Sequence, residues 1–151
     1  MRIRYLNSIV CLTLLCSIAL AQTQQRWTLL PEGEAERVKQ LCSRNGPPEF
    51  QGTWKPTESD IRTMESRLSR ILRLHTRSGL QVGHPDRYYR QYLGITIKNR
   101  KFIYINALCR DKPPDSWRET LSDVCDGGCN WGAVYDVASG KFSHLERNGV
   151  A

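Results

Sequence analysis

The stretch "KPTESDIRTMESRLSRILRLHTRSG", residues 55–79, is followed shortly by "YYRQYLGITIKNRKFIYINALC", residues 88–109, and the fold turns on how these two periods combine. In the first, Ile61, Met64, Leu68, Ile71, Leu72 and His75 recur at three and four, which at 3.6 residues per turn makes one apolar stripe. Thr57 stands where it can cap, with Asp60 three residues on, and Ser78-Gly79 can close the far end. The pattern predicts one long amphipathic helix. In the second stretch, β-branched and aromatic residues alternate on either side of a polar tip at Lys98 to Lys101, which predicts a β-hairpin. The alternation is expected to align Leu93, Ile95 and Ile97 with Ile103, Ile105 and Ala107 under the helix. Tyr92, Thr96, Phe102, Tyr104 and Asn106 then point the other way.

Outward from this centre, "LLPEGEAERVKQLCSR" places Pro31 in a first helical turn and spaces Ala35, Val38 and Leu41/Cys42 by three and four, so a short helix ends near Cys42. "NGPPEFQGTW" breaks regular structure with two prolines and two glycines. Beyond the excursion "RDKPPDSWRETLSDV", a second hairpin runs from "NWGAVYDV" through Ala138-Ser139-Gly140 into "KFSHL". The expectation is an α+β domain: a short N-terminal helix, then one long amphipathic helix on a four-stranded antiparallel meander.

The chain opens with Arg2 and Arg4, an apolar run from Ile9 to Leu20 and the small-residue end Ala19-Leu20-Ala21, the pattern of a secretory signal peptide over residues 1–21. Val10 before Cys11 and Leu15 before Cys16 fit a lipoprotein signal poorly, and the apolar run falls short of the roughly 20 residues of a spanning helix. A single domain over residues 22–151 with no membrane anchor is therefore expected, periplasmic or extracellular. The net charge of +7, two units of which lie in the leader, is below the density of a dedicated nucleic-acid binder.

Four cysteines remain downstream, Cys42, Cys109, Cys125 and Cys129, an even number that in an exported chain predicts two disulfides. Three connectivities exist. Cys109–Cys125 with Cys42–Cys129 ranks first because it closes the long excursion, and the main rival joins Cys125 to Cys129 across two glycines. The spacing in "CDGGC" suits neither a zinc knuckle nor a thioredoxin-type pair, so no metal is expected. Asp123, Asp126 and Asn130 lack the alternation of a calcium loop and read as a turn. His75, His84 and His144 form no constellation, and nucleophile elbows, zinc-protease helices and phosphate loops are all missing from the sequence, so neither a catalytic residue nor a cofactor is assigned.

Two surfaces remain. Arg62, Arg67, Arg70, Arg73 and Arg77 project opposite the apolar stripe and read as a solvated face. Tyr92, Phe102 and Tyr104, joined by Trp131 beyond the "CDGGC" staple, form an aromatic sheet face. Either the 110–124 excursion covers it through Trp117, or it is a recognition surface for an envelope or secreted protein or a glycan.

The order of one long helix and then an antiparallel meander resembles the cystatin-like arrangement in organisation. Gln91-Tyr92-Leu93-Gly94-Ile95 sets its glycine at a different offset from the Gln-x-Val-x-Gly inhibitory hairpin, so protease inhibition is not implied. Over residues 54–151, "RQYLGI", "FIYINA", "VCDGG", "WGAVYD" and the terminal "NG" resemble small exported bacterial proteins of unassigned activity, which implies no mechanism. The function expected is a non-catalytic exported binding or envelope-associated protein, the alternative being a small secreted hydrolase with an unrecognised site.

Overall fold

In a computed structural model, the structure describes residues 25–149 apart from 77, 78, 80, 110, 126 and 127. The leader, Arg77, Ser78, Asp126 and Gly127 thus lie outside the described residues. Six strands form one mixed sheet: β1 (Trp27–Leu29), β2 (Gly52–Thr53), β3 (Tyr89–Ile97), β4 (Arg100–Leu108), β5 (Trp131–Asp136) and β6 (Lys141–Arg147). Strands β3 to β6 follow one another antiparallel, as the two hairpin signals predict. The outer edge of β3 is shared, β1 pairing parallel with Arg90–Tyr92 and β2 antiparallel with Ile95–Thr96. Between these two pairings, Gly94 lets the Trp54 carbonyl and the Pro56 ring press onto β3, where a Cβ would lie 2.0 Å from that carbonyl oxygen.

The long helix is not present. Thr57 caps as expected: its hydroxyl accepts the Asp60 amide at 3.2 Å and its own amide donates to the Asp60 carboxylate at 2.8 Å. The helix α1 it starts spans only Glu58–Glu65, after which a separate 3₁₀ turn runs over Leu68–Arg73. At the break, the Ser66 amide still makes its α-helical bond to the Arg62 carbonyl while its hydroxyl donates to the Thr63 carbonyl, and the Arg67 amide turns to the Met64 carbonyl, an i to i−3 bond in place of an α-helical one. Ile61, Met64, Leu68 and Ile71 still reach the core, whereas Leu72 is half-buried and His75 exposed. The expected N-terminal helix is a 3₁₀ segment, Glu32–Gln40, that buries Ala35 and Val38. The α+β expectation is thereby corrected to a mostly-sheet domain with short helical segments.

Faces are set by the first turn. Its loop has two residues, Lys98 and Asn99, so Ile97 pairs with Arg100, and odd-numbered residues of β3 stand opposite even-numbered residues of β4. Leu93 and Ile95 therefore share a face with Tyr104 and Phe102, while Tyr92 shares one with Ile105 and Ile103, the reverse of the grouping expected from alternation alone. Each face has its own core. One packs Tyr92, Ile103, Ile105, Trp131 and Tyr135 under Ile61, Met64, Leu68 and Ile71. The other packs Leu93, Ile95, Tyr104 and Val134 under Leu30, Val38, Phe50 and Leu121. Each buried aromatic ring removes ~150–250 Å² from water, an upper value of ~4–6 kcal/mol before entropy is counted.

Both disulfides form, with a connectivity that differs from the one ranked first: Cys42–Cys125 and Cys109–Cys129, Cα atoms 5.1 and 5.9 Å apart. Register explains the second. Ala107 pairs with Trp131, and two residues further along each strand Cys109 and Cys129 are again opposite, fixed by the Cys109 amide donating to Asn130 Oδ1 at 3.0 Å. The Asp123 carboxylate accepts the Cys42 amide at 3.1 Å and brings that segment beside Cys125.

Candidate binding groove

At the β3–β4 turn the sheet ends in a groove of about 440 Å³. Ile97, Phe102 and Val134 form its apolar floor with Pro48, and Glu49, Gln51, Lys98, Arg100, Ser143 and His144 supply its polar groups. The volume falls in the range of small-molecule sites.

Unusual backbone fixes two of these groups. Lys98 and Asn99 both adopt positive φ, 48° and 59°, as a two-residue hairpin turn of the primed type demands. Asn suits that conformation; lysine is not a residue that favours it. The Lys98 amide donates to Gln51 Oε1 at 2.9 Å, and the Gln51 amide donates to the Thr96 carbonyl, which ties the 48–53 segment to the hairpin end. On the other side β6 carries an extra residue. Gly132 pairs with Glu146 and Val134 with Ser143, so His144 and Leu145 both oppose Ala133, and His144 sits at φ 50°. Its Nδ1 lies 2.9 Å from Ser143 Oγ and its ring is exposed.

Arg100 lies over the Phe102 ring, 5.5 Å from its centroid, and contacts the Asp136 carboxylate. Burial pushes the Asp136 carboxyl up, but hydrogen bonds from the Ser139 hydroxyl and the Ser139 and Ala138 amides, with the Arg100 charge, outweigh it and hold the group below its ordinary value. Asp136 is thus an anchored anion that orients Arg100.

Of the four aromatic residues expected to form an open face, the structure brings only Phe102 to this groove. Tyr92, Tyr104 and Trp131 are interior, at 0, 2 and 0 % exposure. Tyr92 is held by Arg90, whose Nε donates to its hydroxyl at 2.9 Å, and by the Glu65 carboxylate. The Tyr104 hydroxyl accepts from Arg44, and Trp131 packs against Tyr88 in a T-shaped arrangement with ring centroids 5.4 Å apart. Leu121 covers the Tyr104 face from the excursion, whereas Trp117 packs on Tyr89. The parity of the two-residue turn and the short N-terminal elements that cover the second face account for the difference.

Of the described helix arginines, Arg62 pairs with Glu58, Arg67 donates to the Tyr135 hydroxyl, and Arg70 and Arg73 are exposed. His84 lies 3.1 Å from Asp86 and His75 beside Gln81. Among the described residues, no group of three or more His, Cys, Asp or Glu is placed to hold a metal ion, and no helix is long and apolar enough to cross a membrane. Sequence reasoning missed Lys98, Arg100, Gln51 and Ser143, because a half-buried hairpin end carries no motif. Comparison with family models, curated proteins and solved structures finds no match.

Proposed function

We propose that this disulfide-bonded chain is an exported, non-catalytic binding protein whose ligand site is the groove at the β3–β4 turn. One observation carries the reading. Three non-glycine residues among those described adopt positive φ, and two of them, Lys98 in the β3–β4 turn and His144 in β6, line this one groove. Residues in sparsely populated backbone regions cost of order 1–3 kcal/mol and gather at ligand clamps, so two converging on one cavity point to selection for what the cavity holds. The two disulfides support export to an oxidising compartment, and the partner is an envelope or secreted component. Expression with the leader tests export: the secreted or periplasmic fraction should contain a chain starting at Gln22 without reactive thiols. Capture from that compartment with the parent and with Phe102→Ser tests the site. A partner held equally by both would rule out the groove.

A second, hydrolytic reading rests on the contact between Ser143 Oγ and His144 Nδ1, since a histidine that accepts the serine proton makes that oxygen a nucleophile. Turnover of short-chain p-nitrophenyl esters that disappears in Ser143→Ala would replace the non-catalytic reading. Equal background rates for parent and variant would remove the hydrolytic one.

A further inference from the structure

Resting on the groove as the binding site, we infer that its ligand is a small amphiphilic carboxylate: an apolar body lying on Ile97, Phe102 and Val134, with its anionic head at Lys98 and Arg100. Charge complementarity argues for the head. Lys98 and Arg100 line the groove against one acid, Glu49, and Asp136, already engaged by Arg100, is matched across strands by Lys141. Arg100 has five N–H donors and a side chain 56 % exposed, so contact with Asp136 leaves donors for a second carboxylate. Among the described residues Lys98 has no side-chain ion-pair partner, and its turn holds it at the groove rim. In the tautomer whose Nδ1 accepts the Ser143 hydroxyl, His144 carries its proton on Nε2, a further donor to an anion.

The floor argues for the body. A bare inorganic anion gains nothing from Phe102, Ile97 and Val134, and a wholly apolar ligand would leave the cationic rim unmatched. The volume of about 440 Å³ holds a chain or ring system of modest size. An apolar-bodied cation would be repelled by the same rim.

The test titrates the ¹⁵N-labelled full-length mature protein with octanoate, octanol and octylamine, which share one body and differ in head. Octanoate should shift the amides of Ile97, Phe102, Val134 and Ser143 saturably and bind about tenfold more tightly than octanol, one charge-assisted contact's worth, with octylamine weakest. Lys98→Gln and Arg100→Gln should each weaken octanoate several-fold more than octanol, bringing the two affinities together. The amide spectrum of each variant reports folding in the same measurement. Octanol binding in the groove as tightly as octanoate would overturn the carboxylate assignment and leave the groove standing. Saturable shifts elsewhere, or none with any of the three, would overturn both.

Discussion

Glu65, the last residue of α1, reaches the most enclosed cation described in the protein, and replacing it with alanine should be among the costlier single changes outside the apolar cores. Arg90 has a side chain only 6 % exposed and donates to Glu65 through Nε and Nη2, both at 3.1 Å. Its other bonds go to neutral acceptors: the Tyr92 hydroxyl and the carbonyls of Pro85 and Tyr88, at 2.7 to 2.9 Å. Removing Glu65 leaves that charge buried without a counter-ion and takes an acceptor from Tyr92. Breaking a buried pair costs ~3–5 kcal/mol. Because the Glu65 side chain is 23 % exposed, water can enter the vacated place, and we expect ~2–4 kcal/mol. Urea titrations followed by far-UV circular dichroism, with an unchanged m value, measure the loss. Glu65→Leu combined with Arg90→Met should recover much of it, because no lone charge then remains inside. Glu58→Ala, which breaks the solvent-exposed pair with Arg62 on the same helix, should leave the midpoint where it was. If Glu65→Ala behaves like Glu58→Ala, the Arg90 charge is not dependent on its partner and the reasoning fails.

Burial holds the Tyr92 phenol well above its ordinary value, with the Arg90 charge opposing and Glu65 adding to it. A raised folded value means stability that is complete below the unfolded value near about 10 and lost as pH rises above it, so Tyr92→Phe should lose less stability than the parent between ~pH 9 and ~pH 11; equal slopes would refute this. Opening Cys42–Cys125 by paired serine substitutions should cost more than opening Cys109–Cys129, the separations of 83 and 20 residues giving about 4.5 and about 3.3 kcal/mol on a loop-entropy basis. Thermal melts of the two double variants decide the order. Gly94→Ala would force the Trp54 carbonyl off β3, and hydrogen exchange should show faster exchange at the Trp54 and Gln51 amides, which bond to β3, than at the β3–β4 ladder. Uniform loss of protection would contradict it.

The two hairpins were legible because strands of nine residues in the first, and of six and seven in the second, repeat their alternation often enough to be recognised. The Thr57–Asp60 cap was legible because it is local chemistry. Strands β1 and β2, three and two residues long, carry no period at all and exist only because β3 offers an unpaired edge. The break at Ser66 was hidden because an apolar spacing of three and four fits α-helical and 3₁₀ turns alike. Oxidation of the cysteines followed from their number, whereas the pairing of Cys109 with Cys129 follows from strand register, which one loop residue more or less would have shifted. For the same reason Tyr92 and Tyr104 were assigned to a surface and lie in the interior, and His144 gave no sign of the bulge that presents it.

The crossing of the two bridges has a consequence for how the chain matures. In order along the sequence, the first cysteine of the four joins the third and the second joins the fourth, so neither bridge links neighbours. Among these four, a chain emerging N-terminus first presents Cys42 and Cys109 before either native partner has appeared, and the earliest bond they can form is therefore a wrong one. In the native structure the pairing of β4 with β5 sets Cys109 opposite Cys129 and leaves Cys42 for Cys125, so a Cys42–Cys109 bond has to be exchanged before both native bridges can exist. Exchange of this kind takes minutes to hours without a catalyst, so the rate at which natively bridged protein accumulates should follow the supply of a thiol–disulfide isomerase more closely than that of an oxidant.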